Sequence, residues 1–142
     1  MEVRYDPDVA PAPLAWLALD DDEKRWLVEA FHRLERVDLS HDRLHALAHV
    51  LVENQAAEGD STPIETVIAR LSDEGLTRHE AVHAIGAVLV RHLPALLREP
   101  EPTPDGLAAY YGAVNSITAR EWVAAGNRQR ARAATAVAAT PA

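Results

Sequence analysis

The 142-residue sequence contains no cysteine. That excludes disulfides, a thiolate nucleophile, cysteine-type zinc fingers and iron–sulfur clusters. Aromatic residues are scarce, with three Trp, three Tyr and one Phe, so the core must be built mainly from Leu, Val and small side chains. Positive charge is also short: 14 Lys+Arg against 22 Asp+Glu leave a formal charge of −8. Phosphate repels such a chain, which argues against nucleic acid and anionic membrane surfaces as partners. No stretch approaches the ~20 apolar residues of a membrane-spanning helix. The opening Met1-Glu2-Val3-Arg4-Tyr5-Asp6-Pro7 lacks the basic-then-apolar pattern of a signal peptide. The expectation is a cytoplasmic protein, with a small-molecule substrate and a homo-oligomer left open as partners.

Alanine dominates what is present, at 27 residues. Ala loses least on entering a helix, and it lets helices approach closely. The length suits one domain that buries roughly two-thirds of its unfolded surface. The patterning predicts an all-α fold: a small bundle of about five helices with an extended N-terminal arm and a flexible C-terminal tail. Pro7, Pro11 and Pro13 make residues 1–19 read as the arm. Residues 20–98 read as the helical core. A first helix is expected over about Asp20–Val37, with Trp26, Leu27, Ala30, Leu34 and Val37 on one apolar stripe. A second is expected over about Ser40–Ala57, with Leu44, Leu47, Ala48, Leu51 and Val52 inward. A third runs from Pro63 to about Glu74, with Thr62 and Glu65 as a capping box and Gly75 at its C-terminal end. A fourth follows Thr77, again with a capping-box partner, Glu80, and reaches about Leu97. Residues 99–104 form a Pro-rich linker. Residues 105–125 form a further helical region that breaks near Ser116 and restarts at Thr118 and Glu121. From 126 to 142 no apolar periodicity remains, which reads as the flexible tail.

Histidine is the residue with chemistry to explain. His45 and His49 stand four apart on the second helix, with Glu53 four further on; His79 and His83 repeat the spacing on the fourth. Side chains at that spacing share a helical face, and both pairs border apolar stripes. Two such pairs facing one another are the arrangement expected of a metal site inside a helical bundle. Imidazole suits Zn, Fe, Cu or Ni, and a carboxylate adds charge compensation. The candidate ligands are therefore His45, His49, His79 and His83, then Glu53, then Glu29, which borders the first helix's stripe. The bland alternative is a set of hydrogen-bonded or solvated histidines. Gly86, one turn beyond His83, leaves room for close helix approach or an ion. Gln55 and Arg78 are candidates for hydrogen bonds that orient the ligands. His32 reads as a surface residue on the polar side of its helix, His92 as no better placed, and His41 as a peripheral residue in a first helical turn.

His79-Glu80-Ala81-Val82-His83 also fits H-E-x-x-H, in which two His bind zinc and Glu activates water. The run resembles the zinc-protease segment of membrane-anchored AAA proteases. Against a peptidase, Glu80 is already accounted for as a cap and lies far from the apolar face. Glu29-x-x-His32 and Glu80-x-x-His83 fit the E-x-x-H pair of ferritin-like dimetal bundles, although the remaining glutamates are not spaced as in that family. The His-rich donor set is closer to hemerythrin-like dimetal proteins.

Glu29-Ala-Phe, His45-x-x-x-His49-x-x-x-Glu53-x-Gln55, Arg70-Leu71 and Arg78-His79-x-Ala81-x-His83-Ala84-Ile85 together resemble a bacterial domain-of-unknown-function family of short helical proteins. The resemblance covers about residues 20–95. It implies candidate residues rather than an activity, and its position matching Glu80 need not be acidic. The expectation is a mono- or dimetal centre holding Fe, Zn or Mn, in an oxidoreductase-like metal-dependent enzyme. The alternatives are an H-E-x-x-H zinc hydrolase, for which Glu80 would be the catalytic base, and a non-catalytic structural or metal-free interaction module.

Overall fold

The computed structural model describes residues 4–34 and 42–139. His41 and the expected helix end at Val37 lie outside the described residues. Seven helices follow one another: α1 (Pro13–Ala18), α2 (Asp21–Leu34), α3 (Asp42–Ala57), α4 (Ile64–Asp73), α5 (Arg78–Leu96), α6 (Pro104–Ser116) and α7 (Ala119–Ala139). A single 3-10 turn, Gly59–Ser61, joins α3 to α4, and no strand occurs among the described residues. The fold is all-α.

Local chemistry sets most boundaries. Asp20 accepts from the Glu23 amide at 2.8 Å, and Asp21, Asp22 and Glu23 fill the first turn of α2, where the helix dipole favours acids. Thr77 and Glu80 form the expected capping box at the start of α5. Gly75 takes φ +112, a conformation that favours glycine, and lets the chain turn from α4 into α5. The capping box expected at Thr62 is absent: Pro63 occupies the N-cap position, and Thr62 Oγ1 instead receives the Ile64 amide and donates to the Gln55 carbonyl.

Both ends of the chain are more helical than expected. The arm contains α1, because Pro13 sits at the first helical position, where its missing N–H is no loss. Trp16 then packs inward. At the other end, α7 runs on to Ala139. Nine of its 21 residues are alanine, and that propensity needs no apolar periodicity. The break at Ser116 is as expected, with Thr118 Oγ1 accepting the Glu121 amide at 3.1 Å. Glu74 also fastens the corner. It pairs with Arg70 and accepts the Ala119 amide at 3.0 Å, and that amide holds its carboxyl below the usual range.

α3 is the central element, packed against α1, α2, α4 and α5. Where α3 passes α5, small residues meet. A Cβ added to Gly86 would lie 3.5 Å from the Ala48 Cβ. α6 packs on α5 and delivers Tyr110 and Val114 to the same core as Ile64, Leu71, Ile85 and Leu89. On the other side Asn54 Oδ1 receives both Trp16 Nε1 (3.0 Å) and Lys24 Nζ (2.9 Å), tying α1 and α2 to α3. No described helix is long and apolar enough to cross a membrane.

Candidate metal centre

α2 turns inward a face shifted from the expected stripe: Leu27 is inside and Ala30 half-buried as expected, but Trp26 is not. Lys24, Leu27, Val28 and His32 are buried, with Phe31 partly so, whereas Trp26 is 58% exposed. The buried set keeps three- and four-residue steps, so it is a proper helical stripe rotated away from the expected one. α3 keeps part of its expected stripe, with Ala48 and Val52 buried and Leu51 partly so. Leu44 and Leu47 are exposed, and Ala46, His49, Val50 and Glu53 are inside. On α2 the shift brings His32 to the interior, and on α3 the inner face carries His49 beside the stripe, as expected.

The result is one cluster. His32 from α2, His45 and His49 from α3, and His83 from α5 each offer a ring nitrogen, and these four atoms lie within 4.8 Å of one another. His32, expected at the surface, is 3% exposed and belongs to the group. Its Nε2 is 3.0 Å from His45 Nε2, and His83 Nε2 is 2.8 Å from His49 Nε2. His79 stands at the edge, half-buried, with its Nε2 2.9 Å from His83 Nε2. His45, His49 and His83 are thus together as expected, and His79 flanks the four. His92 lies elsewhere on α5, bonded to the Val88 carbonyl.

Two of the four rings have a fixed tautomer. His32 Nδ1 lies 2.7 Å from the Val28 carbonyl, which can only accept, so Nδ1 carries the proton and Nε2 presents a lone pair to the cluster. His49 Nδ1 lies 3.0 Å from Tyr5 Oη. Tyr5 donates its own proton to Glu53 Oε2 at 2.6 Å, so its oxygen accepts from His49, and His49 Nε2 is again a bare lone pair. Burial and the Glu53 carboxylate push the Tyr5 pKa well up, so this phenol keeps its proton.

Electrostatics favours neutral rings. Burial, reinforced by His83, His45, His32 and His79, drives the His49 pKa far down. Burial, with His79, His45 and His32, brings His83 to about 3. Burial and His32 lower His79, against the pull of Asp8, Asp6 and Glu80. A neutral imidazole is the ligand form. The spacing also fits a metal shell. Adjacent nitrogens around a tetrahedral zinc with bonds of about 2.0 Å would be about 3.3 Å apart, close to the contacts here.

Glu53 is not in the group. It is 1% exposed, and both of its oxygens are taken by Arg78, Nη2 to Oε1 at 2.6 Å and Nη1 to Oε2 at 2.9 Å. The carboxylate expected to ligate thus anchors Tyr5 and an ion pair instead. Glu29 is half-buried on α2 and also lies outside the group. Arg78 holds Glu53, as an orienting residue should, but Gln55 does not approach the histidines. Its Oε1 accepts from Tyr110 at 2.7 Å, on the far side of α3. Glu80 is exposed and engaged with Thr77 in the capping box, so it is not placed to activate a water. Sequence reasoning missed His32 and Tyr5. The E-x-x-H pair Glu29-x-x-His32 carried the signal for the first; nothing local marks the second, 44 residues before His49. No family model, curated protein or solved structure matches the chain.

Proposed function

We propose that the protein binds a single transition-metal ion through His32, His45, His49 and His83, and that this centre is its functional site. The observation that carries the reading is the convergence of four ring nitrogens within 4.8 Å, with two of the rings already locked as Nε2 lone-pair donors. An all-imidazole donor set favours Fe or Zn over Mn, which prefers oxygen ligands. Glu53 is occupied by Arg78, and no carboxylate among the described residues joins the four rings, which supports one metal rather than two.

The metal determines the role. Zinc is saturated by four protein ligands and would make a closed, structural centre. Iron takes more than four ligands and would keep positions for a small-molecule substrate. The half-buried His79 edge supports the open form and an oxidoreductase-like enzyme. The all-imidazole count of four favours the closed zinc form as the second reading. The paired H-x-x-x-H motifs and the E-x-Q ending also support grouping the chain with the bacterial helical family that they resemble.

Elemental analysis of untagged protein, before and after reconstitution with Fe, Zn and Mn, tests the reading. About one ion per chain is expected, with iron exchangeable toward small ligands or zinc inert. A paired His49→Ala/His83→Ala variant should lose it. Less than about one ion per several chains after reconstitution, or full metal content in the paired variant, would overturn it.

A further inference from the structure

We infer that Tyr5 is a positioning residue of the metal centre, and that through it metal binding and docking of the N-terminal arm form one coupled equilibrium. The inference rests on the metal-binding reading above. Four hydrogen bonds join residues 5–8 to α3 and α5, and each ends on a histidine of the cluster region or on the ion pair beside it. Tyr5 Oη meets His49 Nδ1 and Glu53 Oε2. The Pro7 carbonyl accepts from Arg78 Nη1 at 2.9 Å. Asp8 Oδ1 accepts the His79 backbone amide at 3.1 Å. The Tyr5 ring is buried, 5.6 Å from Trp16 and 6.2 Å from Phe31 between ring centres. The arm is therefore seated on the histidine cluster.

The chemistry of the link is directional. Arg78 grips both oxygens of Glu53 and holds that carboxylate facing Tyr5. Its Oε2 accepts the phenol's hydrogen bond and leaves the phenol oxygen as the acceptor for His49 Nδ1–H. His49 Nε2 then points its lone pair at the metal position. A cation on Nε2 makes the opposite N–H more acidic and strengthens its hydrogen bond to Tyr5. The arm thus favours the metal, and the metal favours the docked arm. Linkage requires the two effects to be equal.

Cobalt(II) is the probe, because its visible absorption reports ligand geometry. In Tyr5→Phe the ring packing stays and only the hydroxyl goes. The cobalt Kd should rise about 10-fold to 100-fold with a shifted visible band, the range for loss of a ligand-orienting partner. The second arm of the test uses wild-type protein alone. Trypsin cleavage at Arg4–Tyr5, measured against cleavage at Arg98 as an internal reference, should slow by a similar factor on cobalt binding. Wild-type protein that takes up no cobalt overturns the metal reading and the inference with it. Cobalt uptake with an unchanged Kd and spectrum in Tyr5→Phe, or with cleavage at Arg4 unaffected by metal, overturns the inference alone.

Discussion

The interior has two halves built on opposite principles. Around α4, α5 and α6, sixteen buried residues form a cluster of Val, Ile, Leu, Ala and Tyr with no charge inside it. Beneath the arm and α2, six buried residues, Tyr5, Trp16, Leu27, Val28, Ala46 and Val50, share their space with buried Lys24, His32, His49 and Glu53. The first half draws stability from removing apolar surface from water, which asks only for shape and volume. The second depends on every polar group having its partner. The difference teaches that the second half is held by specific partners rather than by volume. A half that houses a histidine cluster and a paired carboxylate has fewer apolar residues left to pack.

The largest effect should come from breaking a pair in the polar half. Arg78→Met leaves the wholly buried Glu53 side chain without its cation. Removing one partner of a buried ion pair costs about 3–5 kcal/mol. Urea unfolding of metal-free protein should show that loss, and the double variant Arg78→Met/Glu53→Gln should recover much of it. An Arg78→Met protein of normal stability would mean that the pair is not the anchor of this half.

Leu71→Ala makes the matching cut in the apolar half. Leu71 is fully buried among Val67, Ile68 and Ile85. The expected loss is about 2–5 kcal/mol, from transfer and cavity together. It should leave the metal Kd unchanged, because Leu71 touches none of the ligand network. A Kd that moved with Leu71→Ala would erase the distinction between the halves.

The halves differ in how much of them the sequence discloses. Helices α3, α4 and α5 fall within about two residues of the expected spans, because caps, Gly75 and the Pro-rich linker are local signals. The apolar face of α5 is legible from its spacing: Val82, Ile85 and Leu89 are inside, with Leu93 partly buried beside them. The faces of α2 and α3 are legible only in part: Leu27, Ala48 and Val52 are inside as expected. A stripe found by collecting apolar residues includes Trp26, Leu44 and Leu47, all exposed, and leaves out His32. A helix that lines a polar site breaks the rule that the inner face is the apolar one. The His45–His49 and His79–His83 spacing revealed the site, but whether Glu53 meets a metal or an arginine depends on Arg78, 25 residues away, and on Tyr5 in the arm.

Acid should separate the halves without mutation. His83 is held at about 3 in the fold, against about 6.5 for an unperturbed histidine, and His49 is also lowered. The unfolded chain therefore binds more protons below pH 6.5, and the stability these rings contribute is full above that pH and is lost progressively toward pH 3. Metal-free protein should show a falling urea midpoint between pH 7 and about pH 4.5, before ordinary carboxylates titrate at about 4. The sixteen buried residues of the apolar half include no group that titrates in that window. His83→Asn should flatten the profile there, and an unchanged slope would place the loss elsewhere.

The smallest expected effect carries the most inference. Trp26 is 58% exposed, so Trp26→Gln should change stability by no more than about 0.5 kcal/mol, the usual range for a surface site. Were Trp26 instead on the inner stripe, losing a buried aromatic would cost several kcal/mol. The two outcomes differ severalfold, and they decide the rotation of α2. Trp26 and His32 are six residues apart, well over a right angle around the helix. A rotation that buried Trp26 would carry His32 away from His45 and leave the centre with three histidines. A surface substitution with almost no consequence is thus the direct check that His32 belongs to the site.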